Sequence, residues 1–360
     1  MTTLKTPSYF WRSVFAVLIV CGSAGRAADL SGTISATTAI NANSRLVGDV
    51  TCTVTGAACL SFGDNFLTLD LNGFTITGQA DQQSGCDGAS AATTSEVGIL
   101  ISGKMGDTVR GPGIVQRFHS HGVLLLQATT ATVTGLTTAT NCGSGILIGG
   151  GSLNEIRGNV SIRNGSPAAA CGGICLAGSS HNHLSENKLA GNGFGDQGFN
   201  FGIGLPSPID TDNTIENNEL FGNTNGIFVN AGVQGNTIRG NVALGNPPVQ
   251  VGLDHQKNNA DILNLATAGA NLFDENVCLT GVNAPCPTVN PDALSQLTGQ
   301  LQSLGCGTFP PQTSCQLSVN QWNWYMLNKI NVNAQALYSG DGSQQMTAPL
   351  YVQARTAAGL

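Results

Sequence analysis

The sequence predicts an all-β solenoid of stacked parallel coils, laced by an Asn ladder and closed by a short C-terminal helix and tail. Three observations carry this. First, Asn recurs at five-residue steps around an aliphatic residue in four runs: Asn154/Asn159/Asn164, Asn182/Asn187/Asn192, Asn213/Asn218/Asn223 and Asn236/Asn241/Asn246. Ile156, Leu184, Ile215 and Ile238 occupy the matching apolar slot. Second, Gly-apolar-x-apolar strands accompany the runs, at Gly145–Ile148, Gly173–Leu176, Gly202–Leu205 and Gly226–Val229. Third, the strand starts Gly98, Gly122, Gly145, Gly173, Gly202 and Gly226 follow one another at roughly two dozen residues with no helical interval, a period expected of one solenoid coil. A unit this small cannot bury its apolar face alone, so units must stack, each Ile on the next and each Asn amide bonding its neighbour's.

Residues 1–28 read as a secretory signal: Lys5 and Arg12, an apolar Ser13–Val20, then the small-residue site Gly25-Arg26-Ala27. The apolar run is far below the ~20 residues that span a bilayer, so export and release, to the periplasm or beyond the cell, are expected. Residues 29–290 form the solenoid. Short alternating strands over 30–80 are expected to cap its first coil, and regular coils to run from Val97 to about Val251. Insertions at 165–172 and 193–201 are expected to project from one side. In the last segment, 291–360, Leu294, Leu297, Leu301 and Leu304 stand at helical spacing and predict a capping helix over 292–304.

The four Asn/Ile coils, with Leu69-Asp70-Leu71-Asn72-Gly73-Phe74-Thr75-Ile76, make residues 45–280 resemble the right-handed parallel β-helix (pectate-lyase-like) superfamily. The resemblance implies that fold. It leaves activity open, because the superfamily holds lyases, hydrolases, epimerases, adhesins and inert scaffolds.

Of eleven cysteines, ten remain after the signal, an even number that in an exported chain points to disulfides. Cys52–Cys59, Cys278–Cys286 and Cys306–Cys315 are the close pairs; Cys171–Cys175 and Cys86–Cys142 are the remainder. The net charge of −7 becomes about −10 without Lys5, Arg12 and Arg26, and charged residues are only 10% of the chain. A negative body repels polyanions, which excludes a nucleic-acid partner.

Enzymes of the resembled superfamily hold substrate along the face of the sheet built from the Gly-apolar-x-apolar strands. Period two places Ile99, Val123, Ile146, Ile174, Ile203 and Ile227 inward there, and Leu100, Leu124, Leu147, Cys175, Gly204 and Phe228 outward. A calcium-dependent pectate lyase carries carboxylates on that face, and this chain has none until Asp254. Catalytic chemistry is instead expected at 104–121, which holds Lys104, Arg110, Arg117, His119 and His121 against Asp107. β-Elimination of a uronate needs a cation on its carboxylate and a base for the C5 proton; Arg117 and Lys104 suit the first role, His119 the second. Ser120-His121-Gly122 is similar to part of the Gly-His-Gly motif of polygalacturonases, but the Asn-Thr-Asp and Asp-Asp elements are missing. Gly252-Leu253-Asp254-His255 is similar, without its Pro, to the Asp-Pro-His motif of mannuronan C5-epimerases, making Asp254, His255 and Lys257 a second candidate group. His119-Ser-His121 and His181-Asn-His183 read as surface histidines rather than metal ligands. The sequence names no cofactor, metal or oligomeric state. Two functions remain: recognition of an extracellular polysaccharide with cleavage or epimerisation, and a non-catalytic cell-surface or periplasmic scaffold that binds carbohydrate.

Overall fold

The structure is a computed structural model. It describes residues 28–80, 95–165, 172–192, 201–221, 223, 225–244, 246, 260–278 and 281–286, without the side chains of Phe221 and Leu244. The proposed signal, the capping helix at 292–304 and the tail lie outside these residues, as do Cys306 and Cys315.

Every assigned element among the described residues is a strand, and every ladder is parallel. The strands build an eighteen-stranded sheet and a ten-stranded sheet. Each strand of the ten-stranded sheet marks one coil. Within it Ile99 pairs with Val123, Val123 with Ile146, Ile146 with Ile174, Ile174 with Ile203, Ile203 with Ile227 and Ile227 with Ile262, all fully buried. The other sheet stacks Leu69, Val109, Val133, Ile156, Leu184, Ile215 and Ile238 in one column. One continuous core therefore runs through the coils.

Coils begin earlier than the sequence reading placed them. Strand Ala28–Ile34 already pairs in parallel with Ser44–Cys52, and Thr38–Ile40 with Leu60–Phe62. Residues 28–62 are thus rungs of the same two sheets rather than a cap, with one register shift between Leu30 and Gly32. Their strands lack the Gly and Asn markers of later coils, but the alternation that buries Leu46, Val50 and Cys52 suffices to join the core.

The Asn ladder is present in three columns. Asn154, Asn182, Asn213, Asn236 and Asn271 form the first; Asn159, Asn187, Asn218, Asn241 and Asn276 the second; Asn141, Asn164, Asn192, Asn223 and Asn246 the third, ending on Asp261. Beyond the first Asn of each column, the amide oxygen accepts a backbone N–H and an amide N–H from the coil before, and each amide nitrogen donates to a carbonyl there. Gly202 shows why strands start with glycine: a Cβ there would lie 2.8 Å from the Leu220 side chain and 3.0 Å from the Asn223 amide nitrogen.

Disulfides Cys52–Cys59 and Cys278–Cys286 form as expected. Cys142 and Cys175 are also disulfide-bonded; Cys86 and Cys171, expected as their partners, fall outside the described residues. No helix among the described residues is long and apolar enough to cross a membrane.

Candidate active site

The four longest connections all occur at one place in the coil. Residues 81–94, 166–171, 193–200 and 247–259 each lie between the second strand of the eighteen-stranded sheet and the following strand of the ten-stranded sheet. The two insertions expected to share a side fall in equivalent connections, and two more do likewise; the inserted residues themselves lie outside the described residues.

Arg117 and His119 lie at this edge, in the turn between strands Ile114–Gln116 and Val123–Leu126. Arg117 takes a left-handed conformation, φ 59°, as do Thr140 and Arg163 at the same position of the next two coils. This reversal sends Phe118 into the core, where its N–H donates to Asn141 Oδ1 at 3.0 Å. Arg117 Nε donates to the Ala80 carbonyl at 3.0 Å. Elsewhere Arg45, Arg110, Arg157, Lys188 and Arg239 all meet carboxylates. Arg117 holds its charge at the insert-bearing edge against a neutral backbone oxygen.

His119 has a partner that sequence reasoning missed. Its Nδ1 lies 2.6 Å from Glu96 Oε2, one coil earlier. Glu96 is 7% exposed, and its other oxygen accepts the Gly56 N–H at 2.8 Å, so the carboxylate is fixed from two coils. The Glu96 carbonyl also accepts the Ser120 N–H. A signal existed: Glu96 immediately precedes the Val97-Gly98 strand start, one period ahead of His119.

His121 is held differently. Its Nδ1 accepts the Ser144 N–H at 2.9 Å, and burial pushes its pKa down to about 4. Lys104 does not join Arg117 and His119. It follows strand Ile99–Ser102, at the opposite edge of the ten-stranded sheet, where Nζ donates to the Gly63 carbonyl at 2.6 Å. Asp254, His255 and Lys257 lie outside the described residues, in the coil-nine segment of the insert-bearing connection. His181 and His183 meet Asp212 and Glu216, and among the described residues no cluster of three metal-ligating side chains occurs.

The outer face of the ten-stranded sheet divides in two. Leu100, Leu124 and Leu147 are half-buried, whereas Cys175, Phe228 and Leu263 are buried with Phe201 and Ala260 in a second apolar cluster. Phe201 stacks on Phe228 with centroids 5.0 Å apart. Gly204 makes room, since a Cβ there would run into the Phe201 ring. Part of the outward apolar row is thus covered by the chain itself.

Residues 97–266 match the family model described as right handed beta helix region. No curated protein matches the chain. Matching solved structures include the Dettilon tailspike protein gp208, 16% identical over 69% of this chain and 55% of that one, TM-score 0.43. The enzymatically active domain of bacteriophage CBA120 tailspike protein 2 is 10% identical over 74% and 40%, TM-score 0.45. Pectate lyase Pel9A is 16% identical over 76% and 80%, TM-score 0.36. The chain spans about half of the first tailspike and less of the second.

Proposed function

We propose that this right-handed β-helix is exported and acts on an extracellular polysaccharide containing uronic acid, cleaving it by β-elimination or epimerising it at C5. The observation that carries the reading is the Glu96–His119 contact beside Arg117, a cation that meets no carboxylate among the described residues. Arg117 neutralises the substrate carboxylate, which stabilises the charge that develops when the adjacent C–H bond breaks. His119 Nε2 takes the C5 proton. In elimination the electron pair forms the C4–C5 double bond, the C4–O bond breaks, and the leaving oxygen takes a proton from water. In epimerisation a proton returns to C5 from the opposite face.

The test is a screen of the mature protein against uronic-acid polymers, following unsaturated-product absorbance and deuterium uptake at C5. His119→Ala and Arg117→Ala are each expected to lower kcat on the order of 10²–10³-fold while leaving Tm unchanged. Activity surviving both changes moves the site to Asp254, His255 and Lys257. One observation favours the scaffold reading: the apolar outer row is closed by Phe201 over coils seven to nine. Polysaccharide binding with neither product nor deuterium uptake is its signature.

A further inference from the structure

We infer that the 119–121 turn carries its two imidazoles in opposite tautomers, set by Glu96 and by the Ser144 N–H, so that it presents a proton acceptor at His119 Nε2 and a hydrogen-bond donor at His121 Nε2. The assignment of chemical roles to these atoms rests on the uronate reading above; the tautomers themselves rest on geometry alone.

For His119, a 2.6 Å contact between Nδ1 and Glu96 Oε2 requires one proton between them. Glu96 Oε1 accepts from Gly56, as an ionised carboxylate does. An imidazole N–H donating to an ionised carboxylate is the charge-assisted arrangement, which puts the shared proton on Nδ1. The lone pair of neutral His119 is then on Nε2, which has no partner among the described residues. For His121 the logic reverses. A backbone N–H has only a proton to offer, so Nδ1 must carry the lone pair and Nε2 the hydrogen. The low pKa of His121 keeps this imidazole neutral across the range in which an ordinary histidine charges. Phe118 and Ser120 are buried between and before the two rings, so positions 119 and 121 alternate to the outside of the same turn.

The consequence is a division of labour within three residues. His119 abstracts a proton, while His121 donates a hydrogen bond to a sugar hydroxyl or carboxylate oxygen without surrendering its own proton. Glu96 acts as a positioning residue. Replacing it by Gln reverses the polarity of the contact. The Gly56 N–H demands the amide oxygen, which leaves the amide NH₂ facing His119 Nδ1, and Nδ1 must then accept.

The experiment is long-range ¹H–¹⁵N correlation on uniformly labelled protein at about pH 9, well above the usual imidazole pKa. His119→Gln and His121→Gln identify the two rings. We expect the Nδ1–H pattern for His119 and the Nε2–H pattern for His121, with Glu96→Gln converting His119 to Nε2–H at unchanged Tm. On a substrate, the same variant should lose kcat by roughly 10³–10⁴-fold with little change in KM, as expected when a base is left in the wrong tautomer. Matching tautomers in the wild-type protein, or a His119 pattern that Glu96→Gln leaves alone, overturns the inference. Should Glu96→Gln fail to fold, the wild-type spectrum decides. Opposite tautomers in a protein without any uronate activity would leave the inference standing and remove the function.

Discussion

Coils one to three and coils five to ten share two sheets and one core, yet they are tied together by different chemistry. In the early coils, single side-chain acceptors hold the turns: Asn43 takes the Thr68 N–H, Asp49 the Thr75 N–H, Asn65 the Met105 N–H and Asp107 the Leu67 N–H. In the later coils each ladder amide both accepts and donates, so neighbouring turns are bonded in both directions. The sequence separations along the first column are 28, 31, 23 and 35 residues, while the bonds stay at 2.9–3.0 Å. The ladder thus holds the coil's cross-section constant where the loops between rungs vary in length.

The largest expected effect breaks the ladder directly. Asn187→Ala strands the Asn159 N–H and the Ile156 carbonyl in the core. At ~1–3 kcal/mol for each orphaned buried group, the loss should reach about 3 kcal/mol or more. Asn43→Ala removes one exposed acceptor and should cost below about 1 kcal/mol. Equal denaturation midpoints for the two variants would erase the distinction between the regions.

A pH effect comes next. Asp210 is fully buried, and burial raises its pKa from 3.8 to about 6 even though backbone N–H groups of Ser179 and Ser207 oppose the shift. A raised carboxyl favours its proton in the folded chain, so its contribution is complete below pH 3.8 and is lost as pH rises through about 6. The loss amounts to about 3 kcal/mol. The stability of the wild type relative to Asp210→Asn should fall between about pH 3.8 and 6 and be flat on either side of that window. Parallel curves throughout would refute the linkage.

The smallest effect extends the ladder into the early coils. Each ladder amide donates to the carbonyl three residues before the N–H it accepts from, as Asn154 does with Ala128 and Ala131. The same offset from Leu67 points to the Asp64 carbonyl as the acceptor that an amide at 107 would reach, and Asp107 Oδ2 is buried without a hydrogen-bond partner among the described residues. Asp107 has a raised pKa, chiefly from burial, so its contribution too is lost as pH rises above the unfolded value. Asp107→Asn supplies the missing donor and should stabilise at neutral pH by about 1 kcal/mol. A destabilised variant would mean that the early coils do not accept ladder geometry.

The sequence made the later coils legible because a ladder position tolerates little but Asn, and a strand start beside it little but Gly. The first two coils lack such markers, and their strands could be read only as alternation, which a cap shows equally well. At the site, Arg117 and His119 stood out as titratable groups in a charge-poor chain. Glu96 did not, because its partner is 23 residues away and meets it only through coil-on-coil register. Lys104 looked close to His119 in sequence, but a whole strand of the ten-stranded sheet separates their turns. The apolar outer row was read correctly residue by residue. That a loop covers such a face is an ordinary expectation, but Phe201 as the covering residue was not legible, since Gly204 carries the information as a missing side chain.

The placement of the four longest connections at a single corner bears on how such a chain grows. Duplicating one coil adds a rung of about 4.8 Å and leaves the ladder in step, because the amide above and the amide below are chemically alike. Altering a connection changes what stands at a rung without moving any other. Axial length and surface identity are therefore independent variables here. The first sets how far apart two groups sit, and the second sets what those groups are.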